Sequence, residues 1–264
     1  MDDAHNHLQM PKIAHLADDL NQWTSFHKIR RMVVNGTRES DWSDVARLAA
    51  QHPSVVRPAF GLHPWHIQHR SEKWIEQLEH YLVKNPVASI GECGLDRWIA
   101  NHDIDDQTDV LTAHLKLAVS LQRPVTIHCL KAWGPLLETL RSNPIPEQGF
   151  LIHAFSGSIE TARELEQLGA YFSFSGYFLH PRKSAVCDVY KQISSSRLLI
   201  ETDAPSMPLP ESLQIEKLTY GEKGKAINHP ANIVAVRDGL ADVLGIKPDE
   251  LDTILKGNFE RIFG

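Results

Sequence analysis

Eight short apolar or β-branched runs, each followed by a stretch of helical period, constrain this chain more than any other feature. The runs are DDAHNHL (2–8), IRRMVVNGT (29–37), VVRPAFGL (55–62), PVASIGECG (86–94), PVTIHCL (124–130), FLIHAF (150–155), AYFSFSG (170–176) and RLLIETDAP (197–205). Between them lie amphipathic segments such as DWSDVARLAAQ, SEKWIEQLEHYLVK, QTDVLTAHLKLAVSL, WGPLLETLRS, SIETARELEQL and KSAVCDVYKQI, and after the last run come NIVAVRDGLADVL and ELDTILKGNFERIF. A strand buried on both faces reads as a nearly continuous apolar run, and a parallel neighbour requires a helical crossover. The alternation therefore predicts parallel βα units, and eight of them in 264 residues predict an α/β fold of the (β/α)8 barrel type. An open doubly wound sheet is the competing architecture, but no G-x-G-x-x-G follows the first run.

A chain that is 42% hydrophobic can bury a large core, and neither a Ser/Gly-rich or Pro-rich linker nor a repeat divides it, so residues 1–264 read as one domain. Nowhere do about 18 or more apolar residues run together, and the N-terminus lacks a basic region followed by an apolar segment. The expectation is a cytoplasmic protein without membrane association. Cys93, Cys129 and Cys187 cannot all pair with one another and read as reduced thiols. A formal net charge of -6 argues against a broad footprint on duplex nucleic acid, which needs many Lys and Arg contacts to phosphate. It leaves open a strand end or a small phosphodiester as partner, and the oligomeric state is open too, a monomer included.

Placed on the runs, His5 and His7 fall toward the end of the first, Glu92 of the fourth, His128 of the fifth, His153 of the sixth and Asp203 of the eighth. The two-residue period of a strand sends His5 and His7 to one side and Asn6 to the other. Barrel active sites gather at the C-terminal strand ends, so all six converge on one mouth. A single His in TIHCL or LIHAF is more often a hydrogen-bonded core residue than a ligand. Together these side chains cannot be bystanders, because each buried charge or imidazole would need its own partner. They are candidate metal ligands.

Parity sorts their neighbours. Cys93 and Cys129 directly follow Glu92 and His128 and should point to the helix layer as small apolar residues. Asp3 and Glu201 share parity with His5 and Asp203 one step deeper, and read either as groups that orient ligands or as structural hydrogen-bonders. His63 in GLHPW lies just after the third run and is a candidate hydrogen-bond donor to substrate, while His66 and His69 read as surface residues. Trp65 and Trp98 read either as platforms for a base or sugar or as an apolar lid.

The segments DAHNHL, GLHPW, IGECGLD, TIHCLKA, IHAFSGS and LIETDAP resemble, in order and spacing, the motifs of the TatD family of metal-dependent hydrolases. NFERIFG resembles that family's C-terminal Asn-x-x-Arg-x-Phe segment, so the resemblance covers nearly the whole chain. It implies a TatD-like domain over 1–264, a (β/α)8 TIM barrel of the amidohydrolase-like type, bound divalent metals, and deoxyribonuclease or phosphodiesterase activity. Carried over motif by motif, the family's metal ligands fall on His5, His7, Glu92, His128, His153 and Asp203. The chain departs from the pattern at Leu130, where members commonly carry Arg, and Lys131 beside it has the opposite parity. It departs again at His229 in KGKAINHP, where an Asn-Glu-Pro is usual, and at Arg97 and Trp98 after Asp96. These departures bear on substrate contacts and leave the metal ligands intact.

Four imidazoles and two carboxylates exceed what one tetrahedral catalytic zinc uses, so two divalent ions are expected: zinc or manganese, with magnesium less suited to so many imidazoles. Glu92 is expected to bridge them, with His5 and His7 on one and His128 and His153 on the other. Asp203 is expected both to hold metal and to take a proton from the attacking water, which makes Asp203 and Glu92 the catalytic pair. The leading reading is a metal-dependent phosphodiesterase or deoxyribonuclease acting on nucleic-acid ends. The same chemistry on a small carboxylic ester, lactone or amide is the alternative, and a barrel that binds without turnover comes last.

Overall fold

A computed structural model describes residues 1–264. Strands β1 (Asp2–Asn6), β2 (Arg31–Asn35), β3 (Val56–Phe60), β4 (Ser89–Asp96), β5 (Val125–Leu130), β6 (Phe150–Ile152), β7 (Ala170–Ser175) and β8 (Leu198–Glu201) form one sheet in sequence order with parallel neighbours. Between β1 and β8 the sheet curls shut. Asp203 N–H donates to the His5 carbonyl at 2.9 Å, His7 N–H to the Ala204 carbonyl at 2.8 Å, and the Asp3 carboxylate accepts from Thr202 N–H and Oγ1–H at 3.0 and 2.6 Å. Seven of the eight runs contain their strands, and β4 alone extends two residues past its expected end, to Asp96.

The helices are α1 (Leu20–Phe26), α2 (Trp42–Gln51), α3 (Trp74–Lys84), α4 (Ile104–Leu121), α5 (Trp133–Ser142), α6 (Ile159–Gln167), α7 (Ser184–Tyr190), α8 (Ile233–Leu244) and α9 (Pro248–Phe263). Two of them open on side-chain caps: the Asp103 carboxylate accepts from Asp105 and Asp106 N–H at the start of α4, and Ser158 accepts from Thr161 N–H at the start of α6. Helix α1 and the antiparallel hairpin of β9 (Leu218–Tyr220) and β10 (Lys225–Ile227), between β8 and α8, are additional to the elements expected from the sequence.

Strand parity divides the interior. Met32, Phe60, Ile152, Phe172 and Ile200 pack outward in the shell between sheet and helices. Their neighbours Val33, Ala59, Leu151, Tyr171 and Leu199 face the other way and cluster with Ala4 and with Phe259, Ile262 and Phe263 of α9. One step further along the same parity stand His153 and Glu201, and Asp203 follows just past the end of β8. An apolar lower layer plugged by α9 thus supports a polar upper layer at the C-terminal strand ends. Register slips between Asp3 and Asn6 in β1 and between Ile90 and Cys93 in β4 adjust the aim of the residues at the mouth.

Candidate metal centre

His5 Nε2 and His7 Nε2 stand 3.2 Å apart, which answers whether the two imidazoles share a face. The His7 Nδ1–H donates to the Asn35 carbonyl at 2.8 Å, so in the neutral ring the lone pair of Nε2 faces the centre. One oxygen of Glu92, Oε2, lies 3.3 Å from both of these Nε2 atoms, and Asp203 Oδ1 lies 3.7 and 3.4 Å from them. The other, Oε1, lies 3.1 Å from His128 Nδ1 and 2.9 Å from His153 Nε2, which are 3.0 Å from each other. Ligand atoms around a tetrahedral ion with bonds of about 2.0–2.2 Å lie roughly 3.3–3.6 Å apart, so these spacings suit donors that share a cation. The two oxygens of Glu92 divide the donors into His5, His7 and Asp203 on one side and His128 and His153 on the other.

The electrostatics agree. Burial opposes ionisation of Glu92, yet His63, His153 and His5 hold its carboxyl well below the usual range. Burial likewise works against Asp203; a protonated His7, its pKa raised against burial to about 10 by Asp203 and Glu92, more than offsets it through a hydrogen bond and its charge, and a cation bound here would displace that proton. Two buried carboxylates kept ionised among imidazoles form a donor set for divalent cations. His5 Nδ1 is buried without a hydrogen-bond partner, so, unlike His7 and His128, this ring has no bond on its far nitrogen to orient it.

His63 stands 3.3 Å from Glu92 Oε1 but differs from the donors in its proton. Its Nδ1 accepts Trp65 N–H at 3.1 Å, and burial lowers its pKa to about 4, so the ring is neutral with the proton on Nε2. It therefore offers the centre an N–H, as a substrate donor should, and no lone pair. His66, read as a surface residue, is folded back by its N–H bond to the His63 carbonyl at 2.8 Å and lines the mouth; His69 is exposed as expected.

Around the donors, Asp96 carries a role that the sequence reading did not assign. Its Oδ2 accepts His128 Nε2–H at 3.1 Å and Trp65 Nε1–H at 2.7 Å, which leaves His128 Nδ1 to face Glu92. Burial pushes the Asp96 carboxyl up, but these bonds hold it at about 2. Gln107 pins the residue through bonds to its N–H and carbonyl at 2.7 and 3.0 Å. The available signal was parity, since Asp96 lies two strand periods beyond Glu92. Glu201 accepts from Ser173 Oγ–H and lies 3.5 Å from His153 Nδ1, consistent with orienting that ring. Asp3 touches no ligand imidazole; it binds His5 N–H at 3.2 Å and ties β1 to Thr202.

A cavity of about 370 Å³ opens over the centre. Leu130 and Trp65 line it, while Lys131 turns aside to sit 3.9 Å over the Trp98 ring. Cys93 packs in the shell, Cys129 reaches both shell and cavity wall, and burial raises both thiols; neither joins the donors. His229 does not line the cavity: its Nδ1 accepts Ala231 N–H at 2.9 Å and its ring packs edge-on against Trp23 at 5.4 Å.

The uncharacterized metal-dependent hydrolase YjjV of Escherichia coli is 31% identical over 209 residues, spanning 78% of this chain and 80% of that protein. The 3'-5' ssDNA/RNA exonuclease TatD of Citrobacter rodentium is 28% identical over 241 residues, 89% of this chain and 87% of the relative. The crystal structure of the Escherichia coli YjjV TatD homologue superposes with a TM-score of 0.89 at 27% identity, over 100% of this chain and 97% of that one. The sequence pattern described as TatD related DNase matches residues 2–264, from the first barrel strand through the helix that plugs its floor, and the chain therefore belongs to the TatD family of metal-dependent hydrolases.

Proposed function

We propose that this protein is a divalent-metal-dependent phosphodiesterase that removes nucleotides from an end of single-stranded DNA or RNA. One observation carries the reading: the two oxygens of the single buried Glu92 face two separate donor groups at the bottom of one cavity. His5, His7 and Asp203 would hold one ion and His128 and His153 the other, zinc or manganese by the mixed imidazole and carboxylate set, with Glu92 between them. When bound, such a pair lowers the pKa of a water and clamps an oxygen of the scissile phosphate. Asp203, kept ionised at the cavity floor, is placed to take the proton of that water. His63 Nε2–H is placed to donate to a substrate oxygen. Trp65, 56% exposed with its indole N–H tied to Asp96, offers its face to a base.

The substrate class draws support from relatives named as single-strand exonucleases. One deep mouth on an acidic barrel admits an end more readily than a duplex. Reduced thiols, with no helix long and apolar enough to cross a membrane, suit a cytoplasmic enzyme in which residues 1–264 act as one domain.

The test is hydrolysis of end-labelled single-stranded DNA by metal-reconstituted protein beside its Asp203→Asn variant. Wild type should cleave, chelator should stop it, and the variant should lose about 10²–10⁴-fold in rate. Full activity in Asp203→Asn would remove that residue as the base. A metal-loaded wild type that leaves DNA and RNA intact would move the substrate to a small ester, lactone or amide, for which the apolar wall at Leu130 is suited.

A further inference from the structure

Beyond the metal-ligating residues, the cavity wall is largely apolar, with Met10, Leu130, Phe178 and Met207 among its members. Only one Lys or Arg side chain is among the residues that line it, that of Lys183. The segment after β7 brings it there: two short helical turns, Gly176–Leu179 and Pro181–Lys183, fold against α8, and a Cβ on Gly176 would meet Val236 at 2.8 Å. Lys183 Nζ lies 5.4 Å from the centroid of the Tyr177 ring, itself part of the wall. Arg182 shares that ring, with its guanidinium carbon 5.4 Å from the centroid and a 2.5 Å bond from Nη2–H to the Tyr177 hydroxyl. Neither cation has a carboxylate within 4.0 Å, whereas Lys191 at the end of α7 pairs with Asp188 at 2.8 Å.

The difference matters chemically. An ion-paired ammonium has its charge answered, while one resting on an aromatic face is positioned and still seeks an anion. The carboxylates in the wall, Glu92 and Asp203, are engaged with imidazoles at the floor. A neutral ester or lactone gains little from such a cation; a phosphodiester strand, with a charge on every linkage, gains a contact.

We propose that Lys183, carried on Tyr177, is a specificity-determining contact of this mouth and takes a phosphate of the single strand flanking the one that reaches the metal centre. The inference rests on the phosphodiesterase reading and names the residue that selects a charged strand over a neutral ester.

The test measures binding and turnover separately. Anisotropy of a labelled short oligothymidylate is followed on chelated protein across a salt series, for wild type, Lys183→Met, Lys183→Arg and the control Lys191→Met. Lys183→Met should weaken binding about five- to tenfold at low salt and flatten the slope of log Kd against log salt by roughly 0.7, the loss of one single-strand phosphate contact. Lys183→Arg should keep the slope, and Lys191→Met should leave affinity and slope unchanged. With metal restored, Lys183→Met should raise KM by a similar factor with kcat within about twofold, as expected when uniform binding is lost. A residue that merely braces Tyr177 would alter thermal stability and leave the slope alone. An unchanged slope in Lys183→Met, or a wild type that binds no oligonucleotide, overturns the proposal. Slope loss in a protein that cleaves nothing overturns the phosphodiesterase activity and leaves the Lys183 contact standing.

Discussion

Which nitrogen of His128 faces the centre is settled by a residue outside the ligand set. Asp96 takes the Nε2–H, and only then is the lone pair of Nδ1 free toward Glu92. Replacing the carboxylate in Asp96→Asn offers an amide that can donate to Nε2 as well as accept from it, so the preference between tautomers is lost. Metal affinity should fall about 10–100-fold while the far-ultraviolet circular dichroism stays unchanged, read by metal titration of the variant. Wild-type affinity would mean that Asp96 serves Trp65 alone. His7 uses the main-chain carbonyl of Asn35 for the same purpose, a device that no residue type reveals. The ligand candidates were legible because chain direction gathers them at one end of the barrel, even though His7, His153 and Asp203 lie just past the ends of β1, β6 and β8. The proton of His63 was not, because it depends on where Trp65 N–H points after the turn.

Among the elements, β4 bears the heaviest demand, since it carries both Glu92 and Asp96 and packs closely on β5. Gly94 makes the approach possible: its φ is +143°, and a Cβ there would lie 2.0 Å from the His128 carbonyl oxygen. Gly94→Ala combines backbone strain with a main-chain clash and should cost roughly 2–6 kcal/mol in urea unfolding, with weaker metal binding because His128 must shift. A loss below about 0.5 kcal/mol would show that the strands separate without penalty. Elsewhere legibility followed burial. The long crossover helices announce themselves by apolar period, but α1 buries only Leu20 and Thr24, and most of the β9–β10 hairpin is solvated. Elements that bury little write little into the sequence.

For the whole molecule, the two ends of the barrel divide stability from chemistry. At the N-terminal end Arg30 joins Asp2 and Asp252 at 2.6 and 2.8 Å and so ties α9 to the barrel floor. Nearer the mouth, His114 of α4 locks the end of β3: Nδ1–H donates to the Val110 carbonyl at 2.7 Å and Nε2 accepts Leu62 N–H at 3.2 Å, just before His63. Burial lowers its pKa from 6.5 to about 4. The unfolded chain thus takes up this proton first, so the contribution is complete above pH 6.5 and is lost as pH falls toward 4, on the order of 3 kcal/mol over that window. In chemical unfolding, the stability gap between wild type and His114→Gln should narrow across this interval; a constant gap would mean that His114 does not hold its proton off. Taken alone, the sequence determined the barrel, its order and the end at which the polar groups gather, because period, parity and chain direction are local properties. Only the tertiary structure decided how Glu92 divides its oxygens, which ring nitrogens face the centre and that Lys183 is the one Lys or Arg to reach the wall. Those outcomes depend on distances between side chains far apart in the chain, and closure of the barrel is what sets them.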